Sequence, residues 1–254
     1  MIFITGDIHG DIDIHKLSNS NFKAFDNLSR DDYLIICGDF GLVWDGSKEE
    51  KYWQKWLDEK PWTTLWIDGN HENYDLLEEY PVEEWHGGQI QKITDNIFHL
   101  RRGYVFEIDG RKIFAFGGAE SHDKEYRKLG RSMWLDELPD ETELERGRKS
   151  LEANGWNVDI VITHSLSTHI QKHLFRNMGY GFNILTDFFG EIDEKLSYNM
   201  WFSGHYHRDF KYDNKHFLIY NNIVQLTQNG FERIYPLTEY AKYVDKLPDI
   251  FEVN

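Results

Sequence analysis

The sequence is short of cysteine and proline. Only one of its 254 residues is cysteine and only five are proline. A single cysteine excludes an intramolecular disulfide framework, and Cys37 lies inside an apolar run, so we expect it to be a small core residue. No linker, low-complexity tract or internal repeat divides the chain. We therefore predict that residues 1–254 form a single domain.

Long apolar runs are also absent. The chain has no stretch of 18 apolar residues, and no basic segment precedes the short apolar run at its amino terminus. We therefore expect neither a signal peptide nor a membrane-spanning helix, no membrane partner, and a cytoplasmic location.

Positive charge is scarce. The chain has 28 lysines and arginines against 44 aspartates and glutamates, which gives a formal net charge of −16. Long duplex nucleic acid is bound through basic surface, and we expect no such partner here. Bound cations could still create a local positive site on this acidic protein. The sequence does not indicate an oligomeric state.

The first third of the chain alternates between strand and helix patterns. Strands are predicted at 33–37 and 63–67, and helices at 11–28, 47–59 and 73–79. This alternation is typical of βαβ units with a parallel sheet.

The middle of the chain has shorter β-like pieces, and then a polar, aromatic segment at 117–139 without clear periodicity. We predict a loop near the functional site for that segment. An amphipathic helix is predicted at 140–154, a partly helical stretch at 165–196 and more strands after that. The fold class is therefore α/β.

Five apolar runs end directly in side chains that can bind metal ions. The first, Ile2–Thr5, stops at Gly6 and is followed by Asp7 and His9. In open α/β sheets, ligands gather outside the carboxyl ends of strands, so we expect the five ends to meet. The side chains that they contribute are Asp7, His9, Asp39, Asn70, His71, His164, His205 and His207.

These side chains offer oxygen and imidazole donors and no thiolate, which suits first-row divalent ions. The set is too large for one tetrahedral ion and fits two ions that share a carboxylate. We predict two divalent ions, manganese first, with iron, zinc, nickel or cobalt as alternatives. Two ions about 3.5–4 Å apart can make hydroxide from water and hold both sides of an in-line displacement at phosphorus. The chemistry therefore indicates phosphoester hydrolysis.

Five short blocks carry these residues in a fixed order: Gly6-Asp7-Ile8-His9-Gly10, Gly38-Asp39, Gly69-Asn70-His71-Glu72, Thr163-His164 and Gly204-His205-Tyr206-His207. The ordered set resembles the calcineurin-like metallophosphoesterases and spans residues 6–207. The resemblance implies a four-layer α/β/β/α sandwich of two mixed sheets flanked by helices.

The resemblance also implies a role for each matched side chain. It gives one ion the ligands Asp7, His9 and His207, and the other Asn70, His164 and His205. Asp39 would bridge the two ions. His71 matches the family's histidine that binds no metal and that protonates the leaving oxygen or stabilises the transition state.

One block departs from the protein serine/threonine phosphatase branch of the family. That branch has a phosphate-binding arginine shortly after the second-block aspartate, whereas Asp39 is followed by Phe40-Gly41-Leu42-Val43-Trp44. We therefore predict a phosphodiesterase or nucleotide hydrolase that acts on a small molecule. A phosphomonoesterase or protein phosphatase is the alternative. An arginine from elsewhere could replace the missing one, and the candidates are Arg101, Arg102, Arg127 and Arg131.

Four residues are further candidates for substrate binding: Arg101, Arg102, His122 and Trp44. His122 follows Gly117-Gly118 at a predicted strand end, and Trp44 could stack on a base. Two other functions stay open. A nuclease of the same fold could act on short single strands, and a non-catalytic scaffold could keep the fold, although no matched ligand has been lost.

Overall fold

The computed structural model describes residues 1–22, 24, 27–175, 180–228 and 230–235. Fourteen strands lie in these residues. In chain order they are β1 Ile2–Thr5, β2 Tyr33–Ile36, β3 Thr63–Trp66, β4 Val82–Trp85, β5 Gly88–Lys92, β6 Ile97–Leu100, β7 Tyr104–Ile108, β8 Arg111–Phe116, β9 Ile160–Thr163, β10 Met200–Ser203, β11 Phe210–Lys211, β12 His216–Leu218, β13 Ile223–Thr227 and β14 Gly230–Tyr235.

The strands form two mixed sheets. The first has eight strands in the order β14-β13-β1-β2-β3-β6-β5-β4, and the second has six in the order β11-β12-β10-β9-β8-β7. Each sheet has a parallel centre: β1, β2, β3 and β6 in the first, and β8, β9, β10 and β12 in the second. Antiparallel strands complete both edges.

The central strands are apolar on both faces, as expected for strands covered on both sides. In β1 the pleat sends Ile2 and Ile4 into the layer between the two sheets. Phe3 points the other way and packs in the outer layer of the first sheet. The sheets therefore meet face to face through a continuous apolar layer.

In the described part of the chain, five α-helices cover the outer faces: α1 Lys48–Asp58, α2 Tyr74–Leu77, α3 Glu141–Ala153, α4 Thr168–Phe175 and α5 Ile184–Lys195. Leu57 and Leu77 pack against the first sheet, and Leu144 and Phe188 pack against the second. This arrangement confirms the predicted four-layer α/β/β/α sandwich. Ser47 caps α1 by accepting the backbone N–H of Glu50 at 3.1 Å, as its sequence position indicates.

The predicted helix over 11–28 is wrong for most of its length. The described part has a 3-10 helix at Ile14–Leu17, after which Ser18 is extended, while residues 23 and 25–26 lie outside the described residues. Tertiary bonds replace the helical ones, because the backbone N–H of Asp13 donates to Ile8 O at 2.9 Å and Lys16 donates to backbone carbonyls elsewhere. Strand β4 was not predicted, since it is an exposed, acidic edge strand.

None of the helices in the described ranges is long and apolar enough to span a membrane. Cys37 is fully buried, as predicted. That residues 1–254 form a single domain stays a prediction.

Candidate active site

The carboxyl ends of five strands meet at one place, three from the first sheet (β1, β2 and β3) and two from the second (β9 and β10). Two groups of side chains there could each hold a metal ion, and within each group the ligand atoms lie within 4.8 Å of one another. The first group is Asp7, His9, Asp39 and His207, and the second is Asp39, His164 and His205. Asp39 belongs to both groups.

Asp39 lies between the two groups. Its Oδ2 is 3.3 Å from His9 Nε2, and its Oδ1 is 3.3 Å from His164 Nε2. Burial alone would raise the pKa of Asp39, but the neighbouring imidazoles of His164 and His9 hold it well below the usual range. The carboxylate is therefore ionised and presents one oxygen to each group.

Asp7 ties the second sheet to the first. Its carboxylate accepts the backbone N–H of His205 at 3.1 Å, and its Oδ2 is 3.3 Å from His207 Nε2. The buried Lys16 Nζ donates to the backbone carbonyl of Asp7 at 2.8 Å. His207 is half-exposed and stacks on Tyr220, so the first group is open to solvent on that side.

The outer nitrogens of two histidines are fixed by neighbouring oxygens. His164 Nδ1 is 2.7 Å from Cys37 O, and because a carbonyl only accepts, Nδ1 carries the proton and Nε2 faces Asp39. His9 Nδ1 is 2.9 Å from Asp13 Oδ2 in the same manner. Burial lowers the pKa of both rings, but the facing carboxylates raise the pKa of His9 to about 9 and that of His164 to about 10.

Two buried atoms at this place have no hydrogen-bond partner: Asn70 Oδ1 and His164 Nε2. A buried polar atom without a partner costs about 1–3 kcal/mol, so such atoms are rare unless a ligand satisfies them. The amide oxygen of Asn70 has lone pairs to offer, and Nε2 of His164 offers one once the ring is neutral, as metal binding requires. The donor set therefore fits divalent cations of the first row.

Glycines in the blocks make room for these contacts. A Cβ at Gly38 would lie 2.1 Å from His164 Nδ1, and one at Gly204 would lie 2.3 Å from Asp7 Oδ1. Gly38 also has φ +94°, which favours glycine. By contrast, His9, Asp39, His205 and His207 have φ values between 44° and 69°, so four non-glycine side chains of the site take left-handed backbone.

His71 lies beside the ligand groups and belongs to neither. Its ring centroid is 5.3 Å from that of His9, and its backbone N–H donates to Asp39 Oδ1 at 2.9 Å. Its Nε2 is 2.8 Å from Nη2 of Arg127, and because a guanidinium only donates, Nε2 accepts. Burial lowers the pKa of His71; Asp39 opposes this effect, and the charge of Arg127 adds to it.

The segment at 117–139, predicted as a loop near the site, contacts the site at three points. The His122 ring is 6.3 Å from that of His205, Arg127 contacts His71, and Trp134 packs edge-to-face on Trp44 at 5.5 Å. The sequence indicated His122 and Trp44 as substrate-binding candidates, and the structure places both at the site's margin. It did not distinguish Arg127 from the other arginines.

Arg101 and Arg102 lie elsewhere, in a separate cavity of 790 Å³. Arg102 is 4% exposed, and its donors bond Asp68, Glu143 and the backbone of Asp136. Arg101 bonds Gln89. Their predicted contact with substrate therefore has no support from their position.

A cavity of 320 Å³ adjoins His9 and His71. Its other walls include Trp44 and Trp53 together with several carboxylates. Glu50 fixes the Trp44 segment, since its Oε2 accepts the backbone N–H of Trp44 at 2.6 Å. The cavity therefore offers aromatic surface directly beside the candidate ligands.

Two solved structures and one family model are similar to this chain. The structure is similar to that of phosphopantetheinyl hydrolase from Mycobacterium tuberculosis, with 16% identity, a TM-score of 0.43, and coverage of 94% of this chain and 97% of that one. It is also similar to a sulfate thiohydrolase from Thermus thermophilus, with 11% identity, a TM-score of 0.45, and coverage of 91% and 54%. Neither similarity identifies a substrate for this chain, and no curated protein gives a significant match.

The family model described as calcineurin-like phosphoesterase matches residues 1–209, which is more than four-fifths of the sequence. The match includes all five blocks that carry the candidate ligands. By this match the chain belongs to the calcineurin-like phosphoesterases, a family of phosphoester hydrolases with a dinuclear divalent metal centre.

Proposed function

We propose that this protein is a two-metal hydrolase of small phosphodiesters or nucleotides, with manganese as the first candidate for both ions. The observation that carries the proposal is the shared Asp39 between two groups of metal-binding side chains. The unpartnered Asn70 Oδ1 and His164 Nε2 support it, because cations would satisfy both atoms.

In this proposal seven side chains hold the ions. One ion would be held by Asp7, His9 and His207 and the other by Asn70, His164 and His205, with Asp39 available to both. When bound, the ions supply Lewis acidity toward a phosphoryl oxygen and toward the attacking water. The outer bonds of His9 with Asp13 and of His164 with Cys37 O keep those rings in orientation.

His71 is the proposed catalytic residue. Because its Nε2 accepts from Arg127, the proton of the neutral ring lies on Nδ1. That N–H can donate to an oxygen that gains negative charge when the P–O bond breaks. His71 therefore serves the leaving group or the transition state and binds no ion.

The cavity beside His9 and His71 supports a substrate with an aromatic group. Trp44 and Trp53 provide ring surface on which a base could stack. Among the described residues, no lysine or arginine lines the cavity, whereas Asp11, Asp45 and Glu49 do. A second phosphate would be repelled there, so a neutral base or sugar alcohol fits better than a polyphosphate. His122, beside His205, is proposed as a further contact.

The alternative is a phosphomonoesterase, and a nuclease for short single strands or a non-catalytic scaffold ranks below it. A cytoplasmic location, expected from the sequence, is kept as part of the proposal. The first experiment compares hydrolysis of bis-p-nitrophenyl phosphate and p-nitrophenyl phosphate, with manganese and with chelator. Faster diester turnover that chelator abolishes is expected. Monoester preference would favour the alternative, and absence of bound metal would favour the scaffold.

His71→Ala tests the catalytic assignment. The variant should keep its metal ions and lose about 10²–10⁴-fold in turnover, the usual contribution of a positioned proton donor. His169→Ala is the matched control, because His169 is exposed on α4 and lies outside both ligand groups. Metal content by elemental analysis and diester turnover are measured together. Turnover within a few-fold of wild type would remove His71 from the mechanism.

A further inference from the structure

We propose that Arg127 binds the phosphoryl group of the substrate and so supplies the cation that the second block lacks. The inference rests on the proposed function and goes further, because it assigns a substrate-binding residue from outside the five blocks. It also places the phosphoryl group between the ions on one side and the loop at 117–139 on the other.

The segment after Asp39 cannot supply this cation. Phe40 is fully buried, and its backbone N–H donates to Glu72 Oε1 at 2.7 Å. The N–H of Gly41 donates to Glu72 Oε2 at 3.2 Å. This turn is therefore closed by a buried carboxylate from the third block, Phe40 packs into the core, and none of residues 40–44 is basic.

The guanidinium of Arg127 lies at the third block instead. Its Nη2 is 2.8 Å from His71 Nε2, and its Nη1 is 3.3 Å from the backbone oxygen of Asn70. It thus contacts the proposed catalytic residue and the backbone of a proposed ligand at the same time. A phosphoryl group that reaches the ions and His71 comes next to this positive charge.

The side chain is held before any substrate arrives. Arg127 Nε pairs with Asp123 Oδ1 at 2.6 Å, and Nη1 also donates to Ser132 O at 3.3 Å. Only 9% of the side chain is exposed. Contacts with Asn70, His71, Ser132 and Asp123 use four of the five guanidinium N–H groups, which leaves one N–H of Nη2 for an anion. A fixed, partly desolvated guanidinium with one free N–H suits a charge-assisted hydrogen bond to a phosphoryl oxygen.

The other three candidate arginines do not have this position. Arg102 is buried against Asp68, and Arg101 lines the separate cavity with it. Arg131 is exposed on the same loop as Arg127. Of the four, only Arg127 has a described bond to a residue of the site, and Arg131 provides a matched control four residues away.

The test compares Arg127→Ala, Arg127→Lys and Arg131→Ala, each loaded with manganese. Arg127→Ala should keep the metal content of wild type, lose about 10²–10³-fold in kcat/KM, and bind inorganic phosphate at least tenfold more weakly by calorimetry. The kcat/KM of Arg127→Lys should lie between those of wild type and Arg127→Ala, because lysine keeps the positive charge but not the planar guanidinium group. Added guanidinium ion should restore part of the activity of Arg127→Ala, and Arg131→Ala should stay within twofold of wild type.

A double-mutant cycle with His71→Ala separates phosphate binding from mere orientation of His71. If Arg127 binds phosphate, the double variant is slower than His71→Ala alone, and the phosphate affinity of His71→Ala stays near that of wild type. A double variant as fast as His71→Ala, or unchanged phosphate affinity in Arg127→Ala, would overturn the inference. Failure of the proposed function looks different, since the wild type itself would then be inactive with metal bound.

Discussion

Two buried polar clusters lie next to each other around the end of β3, and they are satisfied in different ways. The Asp68 network consists of Asp68, Tyr74, Gln91, His99 and Arg102. The ligand cluster consists of Asp7, His9, Asp39, Asn70, His164, His205 and His207. Asp68 and Asn70 are two residues apart in the chain. The two clusters thus use similar side chains, carboxylates and imidazoles, for two different purposes.

The polar atoms of the Asp68 network find their hydrogen-bond partners within the network. Asp68 Oδ2 accepts from Arg102 Nε at 2.8 Å and from the hydroxyl of Tyr74 at 3.0 Å, and Oδ1 is 3.0 Å from His99 Nε2. Gln91 in turn contacts His99 Nδ1 at 2.8 Å. Burial would raise the pKa of Asp68, but the charge of Arg102 holds it well below its usual range. A fixed internal cation balances the carboxylate.

The ligand cluster has no lysine or arginine among its own side chains, and the imidazoles that balance its carboxylates must lose their added protons before they can bind a metal ion. Its imidazole–carboxylate separations are 3.3 Å, longer than the bonds of the Asp68 network, and two of its buried atoms have no partner. The comparison teaches that burial of charge alone does not indicate a binding site. The indicative feature is charge and lone pairs that the protein leaves unbalanced.

Asp39→Asn should disrupt the ligand cluster, and we expect it to have the largest effect of the three variants. Loss of the shared carboxylate should reduce the metal content below one ion per chain and diester turnover by about 10³-fold or more, since each ion contributes several kcal/mol of charge stabilisation. Manganese should raise the melting temperature of wild type and leave that of the variant unchanged. Asp95→Asn, on the exposed surface, is the control. Full metal content in Asp39→Asn would contradict the proposed bridge.

Asp68→Asn should disrupt the Asp68 network, and it should lower the stability of the fold while leaving metal binding intact. It removes the buried carboxylate partner of Arg102 and leaves only the partly exposed Glu143, and removal of one partner from a buried ion pair costs about 3–5 kcal/mol in the free energy of unfolding. Urea unfolding measures this loss against the Asp95→Asn control. The folded variant should still bind metal, because Asp68 belongs to neither ligand group. A loss of metal without a loss of stability would reverse the roles of the two clusters.

A third cluster sharpens the comparison and should show the smallest effect. His216 Nδ1 is 2.9 Å from Asp213 and its Nε2 is 2.9 Å from the hydroxyl of Tyr198, with Asp193 at 3.4 Å. Burial lowers the pKa of His216, but Asp193 and Asp213 raise it by more than burial lowers it, so the net shift of the pKa is upward. Here the cation that balances the carboxylates can be lost by titration, unlike Arg102.

The sign of the expected pH effect follows from this raised pKa. The stabilisation is complete below the pKa of the unfolded histidine and is lost as the pH rises through the folded pKa. Between pH 6 and pH 9, wild type should therefore lose more stability than His216→Asn, by on the order of 1 kcal/mol for a partly buried pair. Chemical denaturation at both pH values measures the difference. An equal loss in both proteins would show that His216 contributes no charge to the fold.

The sequence predicted the parts of the site that are set locally. An apolar run, a glycine and a ligand side chain are neighbours in the chain, so the ends of β1, β2, β3, β9 and β10 were predicted from short windows, and the ordered blocks then indicated the family. The helices α1 and α3 were predicted for the same reason, since Ser47 and Asp140 cap them from adjacent positions.

The parts that depend on distant contacts could not be predicted. Arg127 meets His71 across 56 residues and Arg102 meets Asp68 across 34 residues, through segments without a periodic pattern. The sequence therefore suggested four arginines and favoured Arg101 and Arg102 for substrate binding, a prediction that their position does not support. The helix prediction at 11–28 failed for a similar reason. The Lys16 side chain is not on the surface of a helix; it donates to the backbone carbonyls of Gly6, Asp7 and Tyr220.

The left-handed backbone at His9, Asp39, His205 and His207 has a consequence for the evolution of this chain. Glycine takes that conformation without strain, whereas other residues are strained there by about 1–2 kcal/mol each. In a laboratory selection for thermal stability without metal, glycine should therefore be enriched at the half-exposed His207, where truncation leaves no buried cavity. A selection that also requires metal binding should retain the four side chains. The most stable version of this fold and the active one are different sequences.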